Sequence, residues 1–145
     1  MANGMRNDTV FALEILREEA LTCVICRGAD CYKSTARGVA PLLQLLDGGI
    51  CLRNFCAADK VVGAGAAYLY VLLGVCEVYA CILSEPAKEI LTRYGISCYF
   101  DSLVPQIRNR AGDGFCPIEA AVAEAADPQD ALARIRKRLA ELKSK

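Results

Sequence analysis

Apolar residues near the start of the chain recur at helical spacing. Phe11, Leu13, Ile15, Leu16 and Leu21 follow the capping-type run Asn7-Asp8-Thr9, so the pattern predicts a helix reaching about Leu21. Two short β-type runs, 22–27 and 30–35, flank Gly28-Ala29 and read as a hairpin. A helix over 39–46 follows, with Pro41 in its first turn and Gly48-Gly49 closing it. The run 50–57 is expected as a third, buried strand. Asp59-Lys60 then begins a central helix over 61–73, and its small residues Gly63, Ala64, Gly65, Ala66 and Ala67 end at Gly74. Glycine inside a helix costs about 0.5–1 kcal/mol relative to alanine, so close packing must offset it. A fourth strand over 78–83, a helix over 86–94 stopped by Gly95 and a fifth strand over 96–100 complete the regular pattern. Beyond them lie a polar loop, 108–114, a short helix opened by Cys116-Pro117-Ile118-Glu119, and a last helix over 129–142 capped by Asp127-Pro128.

This alternation implies α/β architecture, with a mixed five-stranded sheet covered by helices on both faces. No repeat or linker divides it. The 145 residues are expected to form a single domain, with a core over about 8–126 and a C-terminal helix over 127–145.

Composition narrows the functional classes. Mean hydropathy is +0.28 and 54% of residues are apolar, which suits a buried core, yet no apolar run reaches the ~20 residues of a membrane span. No secretion signal is visible, so a cytoplasmic location is expected. Lys and Arg number 17 against 17 Asp and Glu, which argues against nucleic acid or a membrane surface as partner. The basic cluster Arg134, Arg136, Lys137, Arg138 reads as a solvated helix face.

Nine cysteines are present, an odd number that does not suggest a disulfide framework. Cys23 and Cys26 have C-x-x-C spacing, but a strand turns residues i and i+3 to opposite faces. Histidine is absent, which removes His-dependent triads and His-ligated zinc.

Two polar pairs stand where strands are expected to meet helices, Asp59-Lys60 and, about 25 residues on, Ser84-Glu85. In a βαβ unit both corners open at one sheet edge, where ligands of open α/β sheets bind. Asp59, Lys60, Ser84 and Glu85 are therefore the candidate ligand-binding residues, with Arg110 and Asp113 of the polar loop closing over them. A carboxylate at a helix start is also ordinary capping chemistry. Cys116, before Pro117 at a helix start, is the candidate nucleophile, because free backbone N–H groups would activate its thiol.

The two corners resemble the cytidine-deaminase arrangement, which carries H-x-E at the first corner and P-C-x-x-C at the second around a catalytic zinc. On that resemblance Ala57 takes the histidine position, Asp59 the glutamate position, Pro86 the proline, and Ala87 and Ile90 the two cysteines. All three metal ligands are replaced. A closer resemblance, over about residues 8 to 135, is to the bacterial family DUF1893. It rests on Ala58-Asp59-Lys60-Val61-Val62-Gly63, Val78-Tyr79-Ala80, Ser84-Glu85-Pro86-Ala87, Tyr94-Gly95-Ile96 and Cys116-Pro117-Ile118-Glu119. The resemblance implies a cytidine-deaminase-like three-layer α-β-α sandwich without zinc, and no activity. The expected function is binding of a small nucleotide-like or phosphorylated ligand, with no cofactor and with homo-oligomerisation left open. The alternatives are sulfur or acyl transfer through Cys116, or a non-catalytic scaffold or regulatory protein.

Overall fold

The computed structural model describes residues 4–108 and 116–143. Its elements are α1 (Asn7–Glu18), β1 (Cys23–Arg27), β2 (Asp30–Ser34), α2 (Ala40–Asp47), β3 (Cys56–Val62), α3 (Ala64–Leu73), β4 (Glu77–Ser84), α4 (Glu85–Arg93), β5 (Ser97–Val104), α5 (Pro117–Val122) and α6 (Pro128–Lys143). Strand order is β2-β1-β3-β4-β5. β1 runs antiparallel to β2 and β3, and β3, β4 and β5 are mutually parallel, so the sheet is mixed.

Side-chain alternation splits the core in two. On one face α1 buries Ala12, Ile15 and Leu16 against Val24, Ala58 and Tyr79. On the other, a larger cluster joins β1, β3 and β4 to α2, α3 and α4, with Val122 of α5 and Ala131 and Ile135 of α6 added beyond α3. Cys23 belongs to the larger cluster and Cys26 to the smaller, as the two-residue period requires. No helix among the described residues is long and apolar enough to cross a membrane.

Three expectations need correction. The third strand is not 50–57 but Cys56–Val62. Asn54, at φ 68°, turns the chain before it, and the ladder then runs through Asp59, which faces Cys23 of β1 and Ala80 of β4. Asp59 and Lys60 are therefore strand residues, and the central helix starts only at Ala64. β5 also runs four residues past the expected end, Phe100, to Val104, because it stays in register with β4 as far as Ser84. Finally, Cys26 and Cys31 form a disulfide. The hairpin sets them directly opposite, with Cα atoms 4.2 Å apart, a contact that depends on register and not on cysteine count.

The start of α1 also departs from local expectation. Asp8 does not cap its own helix, because its carboxylate accepts from the Gly28 amide at the hairpin turn (3.1 Å). The helix end is held instead by Glu77, 2% exposed, whose Oε1 accepts from the Arg6 amide (2.7 Å) and the Thr9 hydroxyl (2.6 Å). Removing that carboxylate leaves buried donors unpaired, each costing about 1–3 kcal/mol. Glu77→Ala should therefore lower stability by about 3 kcal/mol, a melting shift of roughly 10 °C by calorimetry. A shift under ~2 °C would mean that water or a neighbouring group replaces the cap.

Candidate ligand-binding site

The parallel strands β3, β4 and β5 end at Val62, Ser84 and Val104, and the chain turns at all three ends into one cavity. The cavity has a volume of about 730 Å³. Ala64 opens α3 beside it, Glu85 and Pro86 open α4, and Pro105-Gln106 follow β5. α5 forms the facing wall with Glu119, Ala120, Val122 and Ala123. This is the carboxyl edge of the parallel strands, where open α/β sheets place ligands.

Both helix starts at this edge are already satisfied. Glu119 reaches across from α5 and accepts from the amides of Ala64 (2.6 Å) and Gly65 (2.9 Å), neutralising the positive end of α3. Burial pushes the Glu119 carboxyl above its ordinary value, and the two amides pull it back. The contact explains the glycines. A Cβ on Gly63 would lie 2.5 Å from the Glu119 carboxylate, and one on Gly65 would lie 2.8 Å from Ile118 Cγ2. Ser84 is fully buried and caps α4, its hydroxyl accepting from the Ala87 amide at 3.1 Å.

What remains for a ligand is a mixed wall. Glu85, Glu89 and Glu119 supply carboxylates, while Arg93 supplies a guanidinium that also pairs with Glu89 at 3.0 Å. Tyr68 and Gln106 are the uncharged polar members, and Ile90 and Val122 are apolar. Among the described residues no group of three or more His, Cys, Asp or Glu side chains is placed to hold a metal ion.

Of the candidate ligand-binding residues that fall among the described ones, Glu85 lines the cavity, and Ser84 lies beside it as a cap. Lys60 is exposed on β3 and does not line it. Cys116 is half-buried at the N-cap of the six-residue α5, makes no side-chain capping bond and does not line the cavity. Arg110 and Asp113 lie outside the described residues. Sequence reasoning missed Tyr68, Glu89, Arg93 and Gln106. The i, i+4 pairing of Glu89 with Arg93 on α4 was the one legible signal for them.

Asp59 is placed elsewhere, inside the core between β1 and α3. Its Oδ2 accepts from the Tyr70 hydroxyl (2.7 Å), its Oδ1 from the Val61 amide (3.4 Å), and Cys23 Sγ lies 3.4 Å from the same hydroxyl. Burial drives its carboxyl up to about 7, against the hydrogen bonds that favour the ion. Cys23 and Tyr70 are pushed upward too, first by burial and then by the Asp59 charge. These groups form a closed internal triad.

The sequence profile of DUF1893 (TM1506), described as a domain of unknown function, matches residues 11–139. The chain belongs to the DUF1893 family. The solved structure of a DUF1893 family protein (TM1506) from Thermotoga maritima superposes with a TM-score of 0.83 at 25% sequence identity, covering 97% of this chain and 95% of that one. No curated protein matches the sequence.

Two outcomes follow for this DUF1893 protein. A carboxyl whose folded value (about 7) exceeds its unfolded value (3.8) keeps its proton in the native state, so its contribution is full below the unfolded value and is lost as pH rises through 7. Denaturant midpoints should fall from about pH 5 to about pH 8, by roughly 2–3 kcal/mol in free energy, and Asp59→Asn should remove most of that slope. An equal slope in the variant would contradict the assignment. Separately, Gly63→Ala should displace the Glu119 carboxylate and cost about 1–3 kcal/mol, whereas in a Glu119→Ala background the same change should cost under about 1 kcal/mol. Equal costs in both backgrounds would show that the glycine serves something other than this contact.

Proposed function

We propose that this DUF1893 protein binds a small nucleoside-like molecule in the cavity at the carboxyl edge of β3, β4 and β5. The observation that carries this reading is the convergence of three parallel strand ends, two helix starts and α5 on a single space lined by both apolar and charged side chains. The wall chemistry narrows the ligand class. Glu119 holds the α3 amides and Glu89 pairs with Arg93, which leaves Glu85 as the wall carboxylate offered to a molecule presenting N–H donors, as nucleobases do. A phosphate finds neither helix start unengaged, since Glu119 holds the α3 amides and Ser84 caps α4. The nucleotide-like expectation is thereby reduced to its base and sugar portion, with the phosphorylated form disfavoured.

We also take the fold to be the deaminase-like scaffold with its zinc chemistry removed. Ala57, Ala87 and Ile90, at the three ligand positions of that resemblance, are apolar and buried. Asp59, at the proton-shuttle position, is bonded to Tyr70 in the core and does not face the cavity, which supports binding without deamination. Tyr68, Glu85, Arg93 and Gln106 are the residues assigned to ligand contact.

Isothermal titration with free nucleobases, nucleosides and their monophosphates tests the reading. At least one base or nucleoside should bind more tightly than its monophosphate. The double variant Glu85→Ala, Arg93→Ala should weaken that ligand tenfold or more, equivalent to about 1.4 kcal/mol, with the melting temperature of the free protein little changed. Binding that survives the double change, or a monophosphate that outcompetes its nucleoside, would contradict it.

A further inference from the structure

The opposite end of the sheet carries a second chemical feature. Cys31 of β2, Cys26 of β1 and Cys56 of β3 occupy directly opposed register positions on three neighbouring strands. Cys26 packs in the core cluster under α1 with Cys31 beside it, and opposed residues of antiparallel strands point to the same face, so Cys56 shares that side. Cys76, one residue before β4, continues the row, with its Sγ 3.6 Å from that of Cys56. The row begins with a disulfide, Cys26–Cys31, and ends with two thiols in contact. Its outer members, Cys31 and Cys76, are half-buried, while Cys26 and Cys56 are buried. Cys51, the exposed free cysteine, has no place in the row.

We propose that Cys56 and Cys76 form a second redox couple, oxidised to a disulfide by a low-molecular-weight disulfide of the glutathione type. Cys76, the accessible member, loses its proton to solvent and attacks one sulfur of the small disulfide. A mixed disulfide forms on Cys76 and one small thiolate leaves. Cys56 then gives up its proton and attacks the Cys76 sulfur beside it, expelling the second thiolate. The two released protons go to the two small thiolates. The protein thiols have lost two electrons, and the small disulfide has gained them. Burial first, and then the neighbouring Cys76 and Glu77, push the Cys56 thiol up to about 12, which makes the second step the slow one. Thr9 and Glu77, which hold the start of α1, both adjoin Cys56, so the couple is seated at that contact.

The full chain, incubated in glutathione buffers of graded oxidised-to-reduced ratio, is quenched in acid, alkylated and mapped by peptide mass spectrometry. The expected result is a loss of two alkylatable thiols from the seven free ones, with a peptide linking Cys56 to Cys76. In Cys56→Ser the second step is removed, so a glutathione adduct should persist on Cys76. Three results would overturn the proposal: both thiols alkylatable at every ratio, a permanent glutathione adduct on wild-type Cys76 without a linked peptide, or a link from Cys56 to Cys26 in its place. The wild-type map decides the question even if Cys56→Ser fails to fold.

Discussion

The edge of this molecule depends on one carboxylate. Glu119 leaves a six-residue helix near the C-terminal end of the fold and settles on the first two amides of α3, a helix that begins 55 residues earlier at Ala64. Hydrogen bonds to a charged acceptor contribute about 1.5–3 kcal/mol each, and here they also draw α5 against α3. Gly63 and Gly65 are small because Glu119 and Ile118 stand where their side chains would be. The contact neutralises the positive end of α3 beside the cavity. Glu77 repeats the device for α1, reaching the Arg6 amide across 71 residues.

Much of the architecture is legible in the chain. The hairpin at Gly28-Ala29, the helix from Pro86 to the Gly95 stop and the mixed sheet all follow from turn chemistry and periodicity. The boundary between β3 and α3 is not legible. Asp59-Lys60 looks like a polar corner because strands seldom bury an aspartate, and the buried partner that bonds its Oδ2, Tyr70, lies eleven residues later. Glycine and alanine at 63–67 blur the helix start further, since neither has a strong positional signature there. The caps from Glu119 and Glu77 and the Cys26–Cys31 disulfide are long-range or register-dependent facts that no local window contains.

The candidate site was half legible for the same reason. Topology points to the carboxyl edge, and Ser84-Glu85 marks it. The facing wall, however, comes from α5, and Arg93 from the far end of α4. Moving Asp59 from the edge to the core changes the chemistry. Buried and bonded to Tyr70, its carboxyl makes stability depend on pH and does not line the cavity. The described residues therefore set three features apart: a cavity at the carboxyl ends of the parallel strands, a buried triad around Asp59 in the core, and a cysteine row at the amino ends of β3 and β4.

The claim on which the rest turns is that the carboxyl-edge cavity is the ligand site. The most direct measurement is amide chemical-shift mapping of nitrogen-15-labelled protein titrated with free nucleobases and nucleosides. The account predicts perturbations concentrated at Ala64, Glu85, Gln106 and Glu119, with Lys60 and Asp59 nearly unmoved. Perturbations gathered on the exposed stretch of β3 around Lys60, or scattered without focus, would contradict it.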